Sequence, residues 1–167
     1  MKTGNFWWLA AVVAAHDDRR VVGRTRLQKT MKLLQRLGTP TDYLYTMFFY
    51  GPYSEGLFRD IGRCGALGLL TEVEHAGPEG GTPYFVLQAT AEAEMEEVAR
   101  WHKAIASMQA SDLVVLELAA TYDAFREMGS DHVEAVARLK HKKAAKWTED
   151  RHTRALALLA GLGLATA

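Results

Sequence analysis

The hydrophobic positions of this chain fall into blocks whose spacing changes from helical to extended and back. From Phe6 to His16 the residues are apolar almost without interruption, which predicts a first helix lying between other elements and not on the surface. Asp17 to Gly23 reads as a polar connection. In Arg24 to Leu37 the residues Leu27, Met31, Leu34 and Leu37 recur at helical spacing with Leu33 beside them, and Gly38 supplies the stop. Tyr43 to Tyr50, rich in aromatic and β-branched residues, reads as a strand broken by Gly51-Pro52. Ser54 is a good N-cap, Glu55 suits the positive end of a helix, and Leu57, Phe58, Ile61, Cys64 and Leu67 supply its apolar face. Leu69 to Glu74 and Tyr84 to Leu87 read as two strands joined by the Gly- and Pro-rich run His75 to Pro83.

Helix, helix, strand, helix and hairpin is the order of a winged helix-turn-helix. The expected architecture is therefore mainly α with a small antiparallel sheet: a winged-helix domain over residues 1–88 and a helical extension over residues 89–167 packed on it. In the extension, Thr90 is expected to cap a helix carrying Met95, Val98, Trp101, Ile105 and Met108. Ser111 is expected to cap a buried central helix through Leu113–Ala120. Ser130 and Thr148 are expected to start the last two helices.

The chain has 167 residues, 49% of them apolar and 24% charged, as expected of a globular protein. The opening apolar run is far short of the roughly 20 residues a membrane span needs. His16-Asp17-Asp18-Arg19-Arg20 follows it at once, so a buried helix is expected there and not a signal peptide. The lone cysteine, Cys64, fits a reducing compartment, and the chain reads as cytoplasmic, with no membrane partner.

A net charge of zero hides segregation. Met1 to Gly38 holds eight basic residues against two acidic, Thr39 to Ala137 five against sixteen, and Arg138 to Ala167 seven against two. Such ends can attract nucleic acid, or can dock on the acidic middle of the same or a second chain. Arg26, Lys29, Lys32 and Arg36 are expected along one exposed stripe of the second helix, with Arg24 just before it. They are candidate phosphate contacts or a solvated face. On the third helix Glu55, Arg59, Gly62 and Arg63 are expected to face outward, with Arg59 and Arg63 as candidate base or phosphate contacts or partners of Glu55 and Asp60. Lys140, Lys142 and Lys143 form a further candidate surface or an ordinary helix end. Against duplex binding stands the hairpin tip. Between Glu72 and Leu87 there is no Lys or Arg, and Glu72, Glu74 and Glu79 would repel phosphates.

The aromatic cluster Tyr43, Tyr45, Phe48, Phe49, Tyr50 and Tyr53 reads as core, with base stacking the alternative. The six histidines lack metal-ligand spacing, and no phosphate-binding, dinucleotide or esterase motif occurs. No cofactor, small-molecule ligand or enzymatic activity is therefore assigned.

The run Gly23-Arg24-Thr25-Arg26-Leu27-Gln28-Lys29, followed by Phe49-Tyr50-Gly51-Pro52-Tyr53-Ser54-Glu55-Gly56-Leu57, Asp60-Ile61 and Gly68-Leu69-Leu70, resembles the YwgA-like family of small prokaryotic proteins. It is also distantly similar to the Panacea domain of toxin-neutralising proteins. The likeness covers about Arg24 to Leu70, and more loosely Leu116–Tyr122 and Leu139–His141, where the pattern expects a proline soon after Lys140 and this chain has His141. The resemblance implies a fold but carries no reaction. Two functions stay open: a winged-helix regulator or adaptor touching duplex DNA through its basic helices, and a protein-interaction module acting as a homodimer or antitoxin-like partner.

Overall fold

The computed structural model describes residues 1–167. The near-continuous apolar run becomes α1 (Asn5–Ala14), with every residue from Trp8 to Val13 buried. The segment read as a plain connection instead contains a short strand, β1 (Arg20–Val22), whose central Val21 is buried. Three residues gave too short an alternation to show in the pattern.

α2 (Arg24–Arg36) buries eight consecutive residues, Leu27 to Leu34, so it is covered on its basic face as well as its apolar one. The expected Tyr43–Tyr50 strand is instead a hairpin, β2 (Thr46–Phe48) and β3 (Gly51–Tyr53), turning at Phe49-Tyr50. Gly51-Pro52 is thus the start of the return strand and not a terminator, with Phe48 opposite Gly51 and Met47 opposite Pro52. α3 (Glu55–Ala66) begins as expected at Ser54, whose side chain accepts from the Leu57 amide at 3.2 Å. Phe58, assigned to its apolar face, lies 44% exposed.

β4 (Leu70–His75) and β5 (Tyr84–Ala89) form the second hairpin, paired from Leu70–Ala89 to His75–Tyr84. β1 adds to the other edge of β5, giving an antiparallel sheet in the order β1-β5-β4.

Beyond the sheet, the helix expected from Thr90 is replaced by two 3-10 turns before α4 (His102–Gln109). The Thr90 hydroxyl donates to the Gly68 carbonyl instead of capping, and Glu94 and Met95 are extended. α5 (Leu113–Glu127) is the central helix, buried almost throughout. Its cap is Asp112, which accepts from the Val114 and Val115 amides, while Ser111 donates back to the Ser107 carbonyl. α6 (His132–Lys142) starts at Asp131 with a reciprocal contact from Glu134, and Ser130 accepts from Arg138. α7 (Glu149–Gly161) starts at Thr148 as expected.

The architecture is mixed α and β and mostly helical, with seven α-helices. One cluster of buried apolar side chains runs from Trp8 to Leu159, and α5 packs against α2, β3, α6 and α7. No single helix is long and apolar enough to cross a membrane.

Candidate functional site

The basic face of α2 meets the polar residues that α5 carries inside its apolar run. Lys32 donates to Glu127 at 2.7 Å, and Arg36 to Asp123 at 2.9 Å. Arg26 reaches the other way and donates to the Met108 and Ser111 carbonyls, both at 3.0 Å, closing the last turn of α4. Lys29, 1% exposed, donates to the Pro52 carbonyl at 2.8 Å. The expected exposed stripe is therefore largely internal. Lys29 and Lys32 are buried and Arg26 is partly covered, while Arg36 at the end of the helix stays exposed as expected but pairs with Asp123. The period of α2 showed which face was apolar, but not that a second helix with matching carboxylates lies over the other face.

Arg24 also has internal partners. Its guanidinium grips Glu72 of β4 through two hydrogen bonds and stacks 3.7 Å from the Phe85 ring centroid. Glu72, expected to repel phosphates, thus neutralises the first arginine of the helix. Gln28 makes a reciprocal pair with the Ser54 backbone, donating to its carbonyl and accepting from its amide, both at 2.9 Å.

The β2–β3 hairpin is held by these contacts and by a second set of lysines. Lys143, 4% exposed, donates to the Phe49 carbonyl at 3.2 Å and lies 3.5 Å from Glu117. Lys146 donates to the same carboxylate at 2.8 Å and sits over the Tyr50 ring. Burial pulls Lys143 below the ordinary lysine range and pulls Lys29 down to about 7, with Glu117 opposing the shift in both. Thr121, fully buried on α5, has a hydroxyl without a hydrogen-bond partner. A Cβ on Gly51, where φ is +96°, would lie 2.4 Å from that hydroxyl and 3.7 Å from the Lys29 Nζ.

The hairpin separates two cavities. One of about 350 Å³ lies toward α5 and is lined by Lys32, Tyr43, Tyr45, Met47 and Glu127. The other, about 280 Å³, is a cleft bounded by Phe48 and Tyr53 of the hairpin, Phe58 and Ile61 of α3, and Gln28 and Lys29 of α2. The aromatic residues divide accordingly. Tyr43 is buried, its hydroxyl donating to Asp60 at 2.7 Å, and Tyr45 is largely covered. Phe48, Phe49 and Tyr50 are 54%, 81% and 58% exposed, contrary to the expectation of core. A turn of only two residues, Phe49-Tyr50, projects its side chains beyond the strands, and Phe48 at the strand end is covered only in part, by Tyr53 beside it.

No family model matches the chain. Over 58 residues, 35% of this chain and 35% of the relative's length, it is 38% identical to the uncharacterized protein YwgA of Bacillus subtilis (strain 168). That match supports the likeness to YwgA-like proteins over about a third of either chain. In the structure the two motifs meet. Gln28 and Lys29 of the first bond the Ser54 and Pro52 backbone of the second.

The remaining candidates are more open. Glu55, Arg59, Gly62 and Arg63 all face outward on α3 as expected. Arg59 makes no ion pair, and Arg63 lies 4.0 Å from the Phe6 ring centroid and does not pair with Asp60. Lys140 is exposed over Trp147, Lys142 is half-buried, and Lys143 turns inward, so these three do not form one surface. Glu117, Thr121, Asp123 and Glu127 went unassigned by sequence. Polar residues four apart inside an otherwise apolar helix were the available signal. No group of three or more His, Cys, Asp or Glu side chains is close enough together to hold a metal ion.

Proposed function

We propose that the first 88 residues form a winged helix used as a non-enzymatic protein-interaction module, which self-associates through the Phe48–Tyr50 tip. The winged-helix reading is supported by the element order α1, β1, α2, α3, β4, β5 with strand order β1-β5-β4, the short aromatic hairpin being inserted between α2 and α3. The observation that carries the interaction reading is the exposure of three consecutive aromatic residues on an anchored turn. Contiguous exposed apolar surface marks contact sites, and aromatic side chains are enriched in interface cores. Rings also pack on rings, so such a patch is complementary to its own copy, as a two-fold interface requires.

Light scattering tests this directly. The wild-type protein is expected to gain mass with concentration, and Phe49→Asp with Tyr50→Asp to remain monomeric. A wild-type protein that stays monomeric at high micromolar concentration overturns the reading.

A second reading, a regulator or adaptor that binds duplex DNA weakly, is favoured by the outward and unpaired Arg59 beside Arg63. It requires affinity that falls steeply with salt and weakens in Arg59→Glu/Arg63→Glu. Charge reversal at Lys29 or Lys32 does not test it, because both are buried.

A further inference from the structure

Lys29 is a buried amine without an acid of its own. Its ammonium has three donors, yet the fold supplies one acceptor, the Pro52 carbonyl. The carboxylate that lowers its isolation, Glu117, is beyond ion-pair distance and is already shared by Lys143 and Lys146. Burying a charge is costly unless it is paired, and here three lysines share one acid. Arg24, the other cation of the cleft, is engaged by Glu72. Beside Lys29, the missing side chain of Gly51 leaves room for the Thr121 hydroxyl, fully buried and unpartnered, outside the cleft. Lys29 is also one of the residues lining the apolar cleft, walled by Phe48, Tyr53, Phe58 and Ile61.

We propose that this cleft binds a small amphipathic carboxylate, its apolar body among the rings and its carboxylate against the Lys29 ammonium. The volume of about 280 Å³ fits one ring with a short acidic arm. A phosphate, with more charge and more oxygens to satisfy, would need more donors than the Lys29 ammonium, since Arg24 is engaged by Glu72 and Gln28 by the Ser54 backbone. A cationic ligand would face Arg24 and Lys29. The cleft shares Phe48, Phe49 and Tyr50 with the tip, so the titration is made at a protein concentration where light scattering shows a monomer, and loss of self-association and loss of ligand binding are read separately. The carboxylate can come from a free acid or from the C-terminus of a peptide ending in an aromatic residue.

The experiment is an amide-resolved NMR titration of the whole protein with phenylacetate and, in parallel, with its neutral isostere phenylacetamide. Phenylacetate is expected to saturate at about 1 mM, as suits so few atoms, moving the amides of Thr25, Gln28, Gly51, Tyr53 and Ile61. Phenylacetamide is expected to bind about tenfold more weakly or not at all. Lys29→Met is expected to bind acid and amide alike. Equal binding of the two by wild type overturns the proposal, as do shifts confined to other surfaces or an unchanged acid preference in Lys29→Met. The wild-type comparison decides the matter even if that variant does not fold. A peptide ending in free Phe, set against its amidated form, separates the sources. Tighter binding than phenylacetate supports a chain end as the natural ligand, and weaker binding supports a free acid.

Discussion

The two hairpins of this protein are held by opposite means. β4–β5 is a ladder of six residue pairs with a third strand on its far edge, so its backbone is satisfied within the sheet, and its tip is left acidic and exposed. β2–β3 has three pairs and no neighbouring strand, and a hairpin that short is not stable alone in water. Side chains do for it what strands do for the other: Gln28 on the Ser54 backbone, Lys29 on the Pro52 carbonyl, Lys143 on the Phe49 carbonyl. The lysines that resemble a phosphate-binding stripe are anchors. The hairpin they fix carries the exposed aromatic tip, whereas the sheet-bound one carries an exposed acidic one.

If the short hairpin depends on this scaffold, the largest effect belongs to the carboxylate that supports the lysines. Glu117→Gln leaves Lys29 and Lys143 buried without a counter-charge, an arrangement that typically costs about 3 to 5 kcal/mol. Urea unfolding measures it. A loss below about 1 kcal/mol would mean the lysines hold the hairpin unaided.

The next effect compares the turns themselves. At Gly51 a methyl group meets the Thr121 hydroxyl and the backbone φ is positive, so Gly51→Ala is expected to cost about 2 to 3 kcal/mol. Gly80, in the acidic tip, also has positive φ but open space around it, and Gly80→Ala should cost about 1 kcal/mol. Equal losses by thermal unfolding would remove the claim that the short hairpin is the tightly seated one.

How much of this could be read beforehand follows the same division. Elements that announce themselves by their own period were legible: α1, α2, α3 with its Ser54 cap, and both strands of the long hairpin. What was lost depended on partners distant in sequence. β1 is defined by its pairing with β5, 64 or more residues on in the register Val22–Val86, and not by alternation. The fate of Lys29, Lys32 and Arg36 was set by α5, whose Glu117, Asp123 and Glu127 were visible as letters but not as neighbours. The aromatic run misled for a related reason, since a buried Tyr43 and an exposed Phe49 look alike until the turn between β2 and β3 is placed.

A smaller effect, about 1 kcal/mol for each pH unit, tests the buried lysines without mutation. Lys29 gives up its proton near pH 7 in the fold but near 10.4 in the unfolded chain. Between those values the unfolded chain holds more protons, so stability rises with pH, by at most about 1.4 kcal/mol per unit for one group. Lys143, shifted the same way by burial, adds to the rise. His16 and His152, both lowered by burial, act below about pH 6.5, and Cys64, pushed up to about 12 by burial, opposes the trend above about pH 8.5. From pH 7 to 8.5, therefore, Tm should climb in the wild type and climb less in Lys29→Met. A flat wild-type profile would place Lys29 in ordinary solvent.

The smallest change in stability is expected at the acidic tip, where the comparison turns from structure to function. Glu74 and Glu79 are exposed and neither forms an ion pair, so Glu74→Lys with Glu79→Lys should alter unfolding free energy by less than about 0.5 kcal/mol. The same double variant replaces the negative charge of this tip with positive charge. Fluorescence titration with duplex DNA at low salt should then show affinity absent from the wild type and suppressed by added salt, because two new cations join Arg59 and Arg63 on one side of the molecule's charge balance. An unchanged titration would show that the acids are not what keeps DNA away, and would shift the explanation from the tip's charge to the internal commitment of the α2 cations.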